Sequence, residues 1–156
     1  MSTQGHETGR SAGSRRGGYA AAVVVNALIL YGLNVEPGWQ AVPFLTDGFS
    51  AVLALVNLSI VANLLVNLVQ IAFDPPWLVA TGRLLLATIS LVVSLQLLAV
   101  FPFDFAAQGV DWATVTRILL WIGVSGSVVG MLVAVVQIVR AVAIATTPHG
   151  GAPHPH

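Results

Sequence analysis

Four uncharged polar residues, Ser59, Asn63, Asn67 and Gln70, recur at spacings of 4, 4 and 3 inside an otherwise apolar stretch. At 3.6 residues per turn that spacing puts them on one helix face, while Asn57 lies about 160° round from Ser59 and points elsewhere. Side chains of this kind donate and accept hydrogen bonds. They suit a neutral solute, a lipid headgroup or a weakly held ion. Equally, they can bond helix to helix, which in apolar surroundings contributes roughly 0.5–2 kcal/mol per bond. Expected partners are Asn26 earlier in the chain and Ser90, Ser94, Gln96, Ser125, Ser127 and Gln137 later.

The residues that would carry acid–base or metal chemistry lie elsewhere. No Asp, Glu, Lys or His falls in the middle of a long apolar run. Proton-coupled transport usually places a carboxylate or imidazole there, because a proton must be held and released. All four histidines (His6, His149, His154 and His156) lie near the termini, so haem ligation between helices and a Ser–His intramembrane protease are disfavoured. The chain has no Cys, which excludes disulfides, thiolate metal sites and dithiol redox chemistry. No catalytic residue, resident metal or cofactor is expected. The three histidines of the C-terminal segment are too loosely tethered to make a specific metal site.

Two further groupings stand out. Gly126, Gly130 and Ala134 are spaced by four, with Gly123 and Ser127 as a second such pair. Small residues at that spacing let helices approach closely, either within the protein or against a partner. Asp104, Asp111 and Arg117 form a charged cluster. It reads as an interfacial ion pair, or as a site for an anionic lipid or substrate.

The elements that position these residues are long apolar runs over 19–35, 49–73, 77–101 and 115–145, separated by short polar hinges. A helix needs about 20 mostly apolar residues to cross a hydrocarbon core of ~30 Å. The first run is slightly short and the fourth is long enough to protrude. Of 156 residues, 56% are hydrophobic and 8% charged, against about 25% charged in soluble domains. The formal net charge is zero, so nucleic acid is not an expected partner. Segments 1–18 and 146–156, rich in Gly, Ser, Pro and His, are expected to be disordered. No small-x-small cleavage site follows the first run, so a retained helix is expected over a signal peptide.

With four alternating helices, Arg10, Arg15, Arg16, Arg83 and Arg140 share one side, and Arg117 alone lies on the other. That bias predicts both termini in the cytoplasm. Asp74-Pro75-Pro76-Trp77 reads as a tight turn between antiparallel neighbours. Trp39, Phe44, Trp77, Phe101, Phe103, Phe105 and Trp112 read as interfacial anchors. Arg83 is placed to reach back towards the cytoplasmic headgroups.

The segment from Trp39 to Phe44, the run Val56-Asn57-Leu58-Ser59, the turn Asp74–Trp77 and the motif Phe101–Phe105 resemble a group of small four-helix membrane proteins of actinobacteria. The resemblance spans about 19–143. It implies a fold and a bacterial plasma membrane, and carries over no functional residues.

The expectation is an all-α antiparallel bundle of four transmembrane helices, in contact with the bilayer and with a membrane-protein partner or further copies of itself. A non-enzymatic accessory or scaffold subunit heads the readings. A small oligomeric transporter or channel using Ser59, Asn63, Asn67 and Gln70 comes second. A lipid-acting enzyme, confined to Asp104, Asp111 and Arg117, comes third.

Overall fold

The computed structural model describes residues 5–105 and 111–146, with side chains over 13–105 and 111–144. Four helices make up most of it: α1 (Gly5–Asn34), α2 (Ser50–Ala72), α3 (Pro76–Val100) and α4 (Trp112–Thr146). Short 3-10 turns at Trp39–Ala41 and Asp47–Phe49 shape the first connection. All four helices carry spans long and apolar enough to cross a membrane, of 22, 26, 25 and 33 residues. At about 1.5 Å per residue, the last is about 50 Å long and outruns the hydrocarbon core.

The helix ends follow local chemistry. Pro75 is extended and Pro76 opens α3, where its fixed φ suits a first helical turn and its missing N–H leaves nothing unpaired. Phe101 ends α3 in the left-handed region at φ 41°, an unfavourable conformation for a residue with a Cβ. The chain leaving α1 turns at Gly38, whose φ of 80° glycine tolerates.

One expectation needs correction. The segment 1–18 was expected to be disordered, but α1 begins at Gly5. Helix extension adds one hydrogen bond for each residue fixed, and the segment around Arg15 is tethered. Arg15 Nε lies 3.6 Å from Asp74 Oδ2, and the Tyr19 hydroxyl donates to Asp74 Oδ1 at 3.2 Å. Residues 1–4 and 147–156 lie outside the described part. Thr146, placed with the C-terminal tail by its composition, is the last residue of α4.

Sequence neighbours are packing neighbours. α3 and α4 make the most extensive contact, α1 and α2 the next, and α2 and α3 a lesser one. Other helix pairs meet marginally or not at all. Two kinds of contact hold the row together. Along α3 and α4, Ser94 faces Gly123, and Ala87 faces Gly130 with 3.6 Å between the alanine Cβ and the place a glycine Cβ would occupy. Ala134 of α4 and Ala80 of α3 are buried at 0% and 1% exposure. Along α1 and α2 the contact is polar, as described below.

The distribution of polarity is the reverse of a soluble protein. Buried residues include Asn67, Gln70, Ser94 and Ser127, whereas Leu28, Leu65, Leu119, Leu132 and many others are exposed. Monomeric soluble proteins rarely expose apolar patches beyond a few hundred Å², and a polar interior under an apolar surface suits a hydrocarbon solvent. The chain is thus built as a multi-pass membrane protein.

At one end, the connection before α2 and the connection after α3 are joined. Thr46 N–H donates to Pro102 O and Asp104 N–H to Phe44 O, each at 3.0 Å, around a bridge between Leu45 and Phe103. A run of rings overlies it, with Phe44 stacked on Phe105 at 5.6 Å, Phe103 on Phe105 at 6.1 Å and Phe101 edge-on to Phe103 at 5.5 Å. These aromatics, expected as interfacial anchors, pack on one another at that end.

Candidate functional site

α2 carries Ser59, Asn63, Asn67 and Gln70, and their surroundings divide the face in two. Asn63 is the hub of the upper part. Its Oδ1 accepts Asn67 Nδ2 at 2.7 Å and Asn26 Nδ2 of α1 at 3.4 Å. Each donor also reaches a carbonyl one turn back on its own helix: Asn67 bonds Asn63 O at 2.7 Å and Asn26 bonds Ala22 O at 2.7 Å. Ser59 donates to Val56 O at 2.7 Å. A cavity of about 170 Å³ opens beside them, with Asn26, Ser59, Asn63, Ser90 and Ser94 in its wall.

Gln70 belongs to a different environment. Its side chain is buried at 6% exposure, and its Nε2 lies 3.0 Å from where a Cβ on Gly82 would stand. The adjoining cavity of about 220 Å³ is apolar, lined by Leu65, Leu78 and Leu85 among others. Gly82 therefore lets α3 come close to α2 at this level.

Of the expected partners, Asn26, Ser90 and Ser94 join the upper face. Gln96 and Ser125 are exposed instead. Ser127 donates to Gly123 O at 2.8 Å, and Gln137 accepts from Arg83 Nη1 at 3.3 Å. Arg83 thus binds α4 beside it. Sequence reasoning set Asn57 aside, yet it makes the strongest polar contact between α1 and α2. Asn34 Nδ2 donates to Asn57 Oδ1 at 2.9 Å and Asn57 Nδ2 to Asn34 Oδ1 at 2.7 Å. The signal was an asparagine pair on each segment, Asn26 with Asn34 and Asn57 with Asn63, at nearly matching separations.

The small-residue seam is split. Gly130 and Ala134 face α3, but a Cβ at Gly126 would meet nothing within 4 Å. Gly126 instead lines an open apolar groove with Trp121 and Ile122. The line against α3 runs through Gly123, Ser127, Gly130 and Ala134. Its alternating steps of four and three keep to one side, whereas steps of four drift about 40° each time.

The charged cluster serves local structure. Asp111 Oδ1 accepts the Thr114 N–H at 3.0 Å and Oδ2 accepts its hydroxyl at 2.7 Å, capping the start of α4. The Thr114 hydroxyl bond, then the backbone bond, hold the Asp111 carboxyl below its ordinary value, with Arg117 adding to the effect. The Arg117 guanidinium lies 4.5 Å from the centroid of the Phe101 ring, within cation–π range. Asp104 is exposed and enters the inter-loop bridge through its N–H. Among the described residues no group of His, Cys, Asp and Glu has the makings of a metal site, and the C-terminal histidines fall outside them.

No protein-family model, curated protein or solved structure matches the chain.

Proposed function

We propose that the protein is a non-enzymatic integral membrane protein of a bacterial plasma membrane, a small accessory or scaffold subunit that binds other membrane proteins or lipid. The observation that carries this reading is the closure of the α2 polar face on itself. Asn67 bonds Asn63 and a carbonyl of its own helix, Asn26 bonds a carbonyl of its own helix, and the Asn26–Asn63 bond joins α1 to α2. A continuous pathway for a transporter or channel would need the cavity beside Asn63 to run on past Gln70, whose adjoining cavity is a distinct and apolar one. α1 adds support: no residue of its spanning segment is fully buried within the protein, so its surface away from α2 is open to lipid or a neighbour.

In this reading the helices alternate in direction, with both termini in the cytoplasm. Supporting it, Asn26 bonds Asn63 while the later Asn34 bonds the earlier Asn57, and Ser94 faces Gly123 while Ala87 faces Gly130. Five of the six arginines then fall on the cytoplasmic side, as the positive-inside bias requires.

The test is purification of the native assembly in mild detergent, followed by intact-mass and proteomic analysis. A stoichiometric foreign membrane protein is the expected result. A homogeneous assembly of this chain alone would overturn the accessory-subunit reading and direct attention to flux assays on Asn63→Leu and Asn67→Leu.

A further inference from the structure

The cavity above Ser59 and Asn63 has properties that interhelical bonding does not use. α1 and α3 both flank α2 without packing substantially on one another, which leaves a cleft with α2 as its floor. Ser94 is nine-tenths buried in its wall, while Ser90 is exposed at its edge. Asn63 Oδ1 is occupied by two donors, yet its own NH₂ group makes no hydrogen bond among the described residues. Asn26 uses its NH₂ group twice, leaving its Oδ1 as an acceptor. Ser59 donates to Val56 O and retains its oxygen lone pairs. Beside these groups the wall is apolar, formed by Ile60, Leu86, Ile89 and Val93.

We propose that this cleft is a binding site for a small neutral amphiphile, an alcohol or primary amide of about six non-hydrogen atoms. The size follows from the volume of about 170 Å³, since an apolar cavity of about 150 Å³ accommodates benzene. Neutrality follows from the lining, which holds no ionisable side chain, because an unpaired ion in such surroundings is strongly disfavoured. Amphiphilicity follows from the mixed wall: a hydroxyl or amide meets the Asn and Ser groups while a short carbon chain meets the Ile, Leu and Val side chains. Three other openings among the described residues lack this combination. The grooves beside Trp121 and Trp77 are broad and almost wholly apolar, as is the cavity beside Gln70. The proposal is independent of the identity of any protein partner.

The test is photolabelling of the purified full chain in detergent with a diazirine-bearing butanol, with adducts mapped by mass spectrometry. The expected result is saturable labelling of the segments around Ser59–Asn63 and Ser90–Ser94, suppressed by excess 1-butanol. Ser59→Leu, which fills the cavity, removes that labelling. Ser59→Ala raises the butanol concentration needed for competition about tenfold, the loss of roughly one hydrogen bond. Ser90→Leu at the edge provides a second block if Ser59→Leu fails to fold. Adducts spread over the lipid-facing side chains of α1 and α4 without competition would overturn the proposal. So would labelling that survives a folded block.

Discussion

Alanine at Gly82 and alanine at Gly126 test the packing with opposite expected signs. At Gly82 the added Cβ would stand 2.9 Å from Val66 Cγ1 and 3.0 Å from Gln70 Nε2. Both neighbours sit on α2, and Gln70 is buried, so relief requires the Val66 and Gln70 side chains to shift within a packed region or α3 to move away from α2. Overpacking of this kind costs about 1–3 kcal/mol, partly offset by the helix preference of alanine over glycine, about 1 kcal/mol. The net expectation is a loss of about 1 kcal/mol, with an upper bound near 2. At Gly126 the added Cβ meets nothing within 4 Å, so only the propensity gain remains, at most about 1 kcal/mol. The assay is reversible unfolding of each purified variant in mixed micelles, followed by circular dichroism. If Gly82→Ala is as stable as the parent, or if Gly126→Ala is the more damaging change, the close approach of α2 and α3 is wrong.

Other expectations follow from the polar contacts. Asn63→Leu removes one acceptor, but Asn67 and Asn26 each keep a backbone carbonyl; the loss measured by the same unfolding assay stays near 1 kcal/mol. Asn57→Leu removes both interhelical bonds to Asn34 and is expected to be at least as damaging, with α1 separating from α2 first in hydrogen exchange. Asp74→Asn loses the ion pair with Arg15 but keeps an oxygen for Tyr19. Because Arg15 is largely exposed, the change costs at most about 1 kcal/mol, whereas Asp74→Ala also releases Tyr19. The Asp111 carboxyl has a lowered pKa in the folded chain, so its capping contribution is fully present above the ordinary value of 3.8 and is lost as pH falls through the lower folded value. Amide exchange at the start of α4 is expected to accelerate over that acidic range, and Asp111→Ala to abolish the dependence.

The existence and extent of four spanning helices were legible because apolar composition over 20 or more residues has few other outcomes. The turn at Pro75 and Pro76 was legible for a similar reason, since proline constrains φ irrespective of context. Pairing was harder. Ser59 and Asn63 share one cavity wall, but spacing alone says nothing about which groups stand opposite, and Gln70 stands against Gly82 of α3. Asn57 lies off that face, yet α1 bonds α2 at both asparagine levels. The glycines of α4 show the same limit. A four-residue repeat singled out Gly126, whereas the small residues Ala87 and Ser94, seven apart on α3, stand opposite the line actually used. The start of α1 was missed because its composition resembles that of a loose tail, and its tether to Asp74 lies 55 residues further along the chain.

The bridge between Phe44–Thr46 and Pro102–Asp104 bears on biogenesis. In the proposed orientation the loop joining the first two helices is exported first during synthesis, while the backbone partners of Phe44 and Thr46 lie nearly 60 residues later. The first hairpin therefore leaves the insertion machinery with that edge unsatisfied, and the second hairpin arrives as its complement. Cutting the chain between Asp74 and Pro75 would yield two fragments, each with two of the helices and each carrying half of that bridge. Such a pair offers a natural split reporter, in which co-production of the halves restores a signal that neither half gives alone.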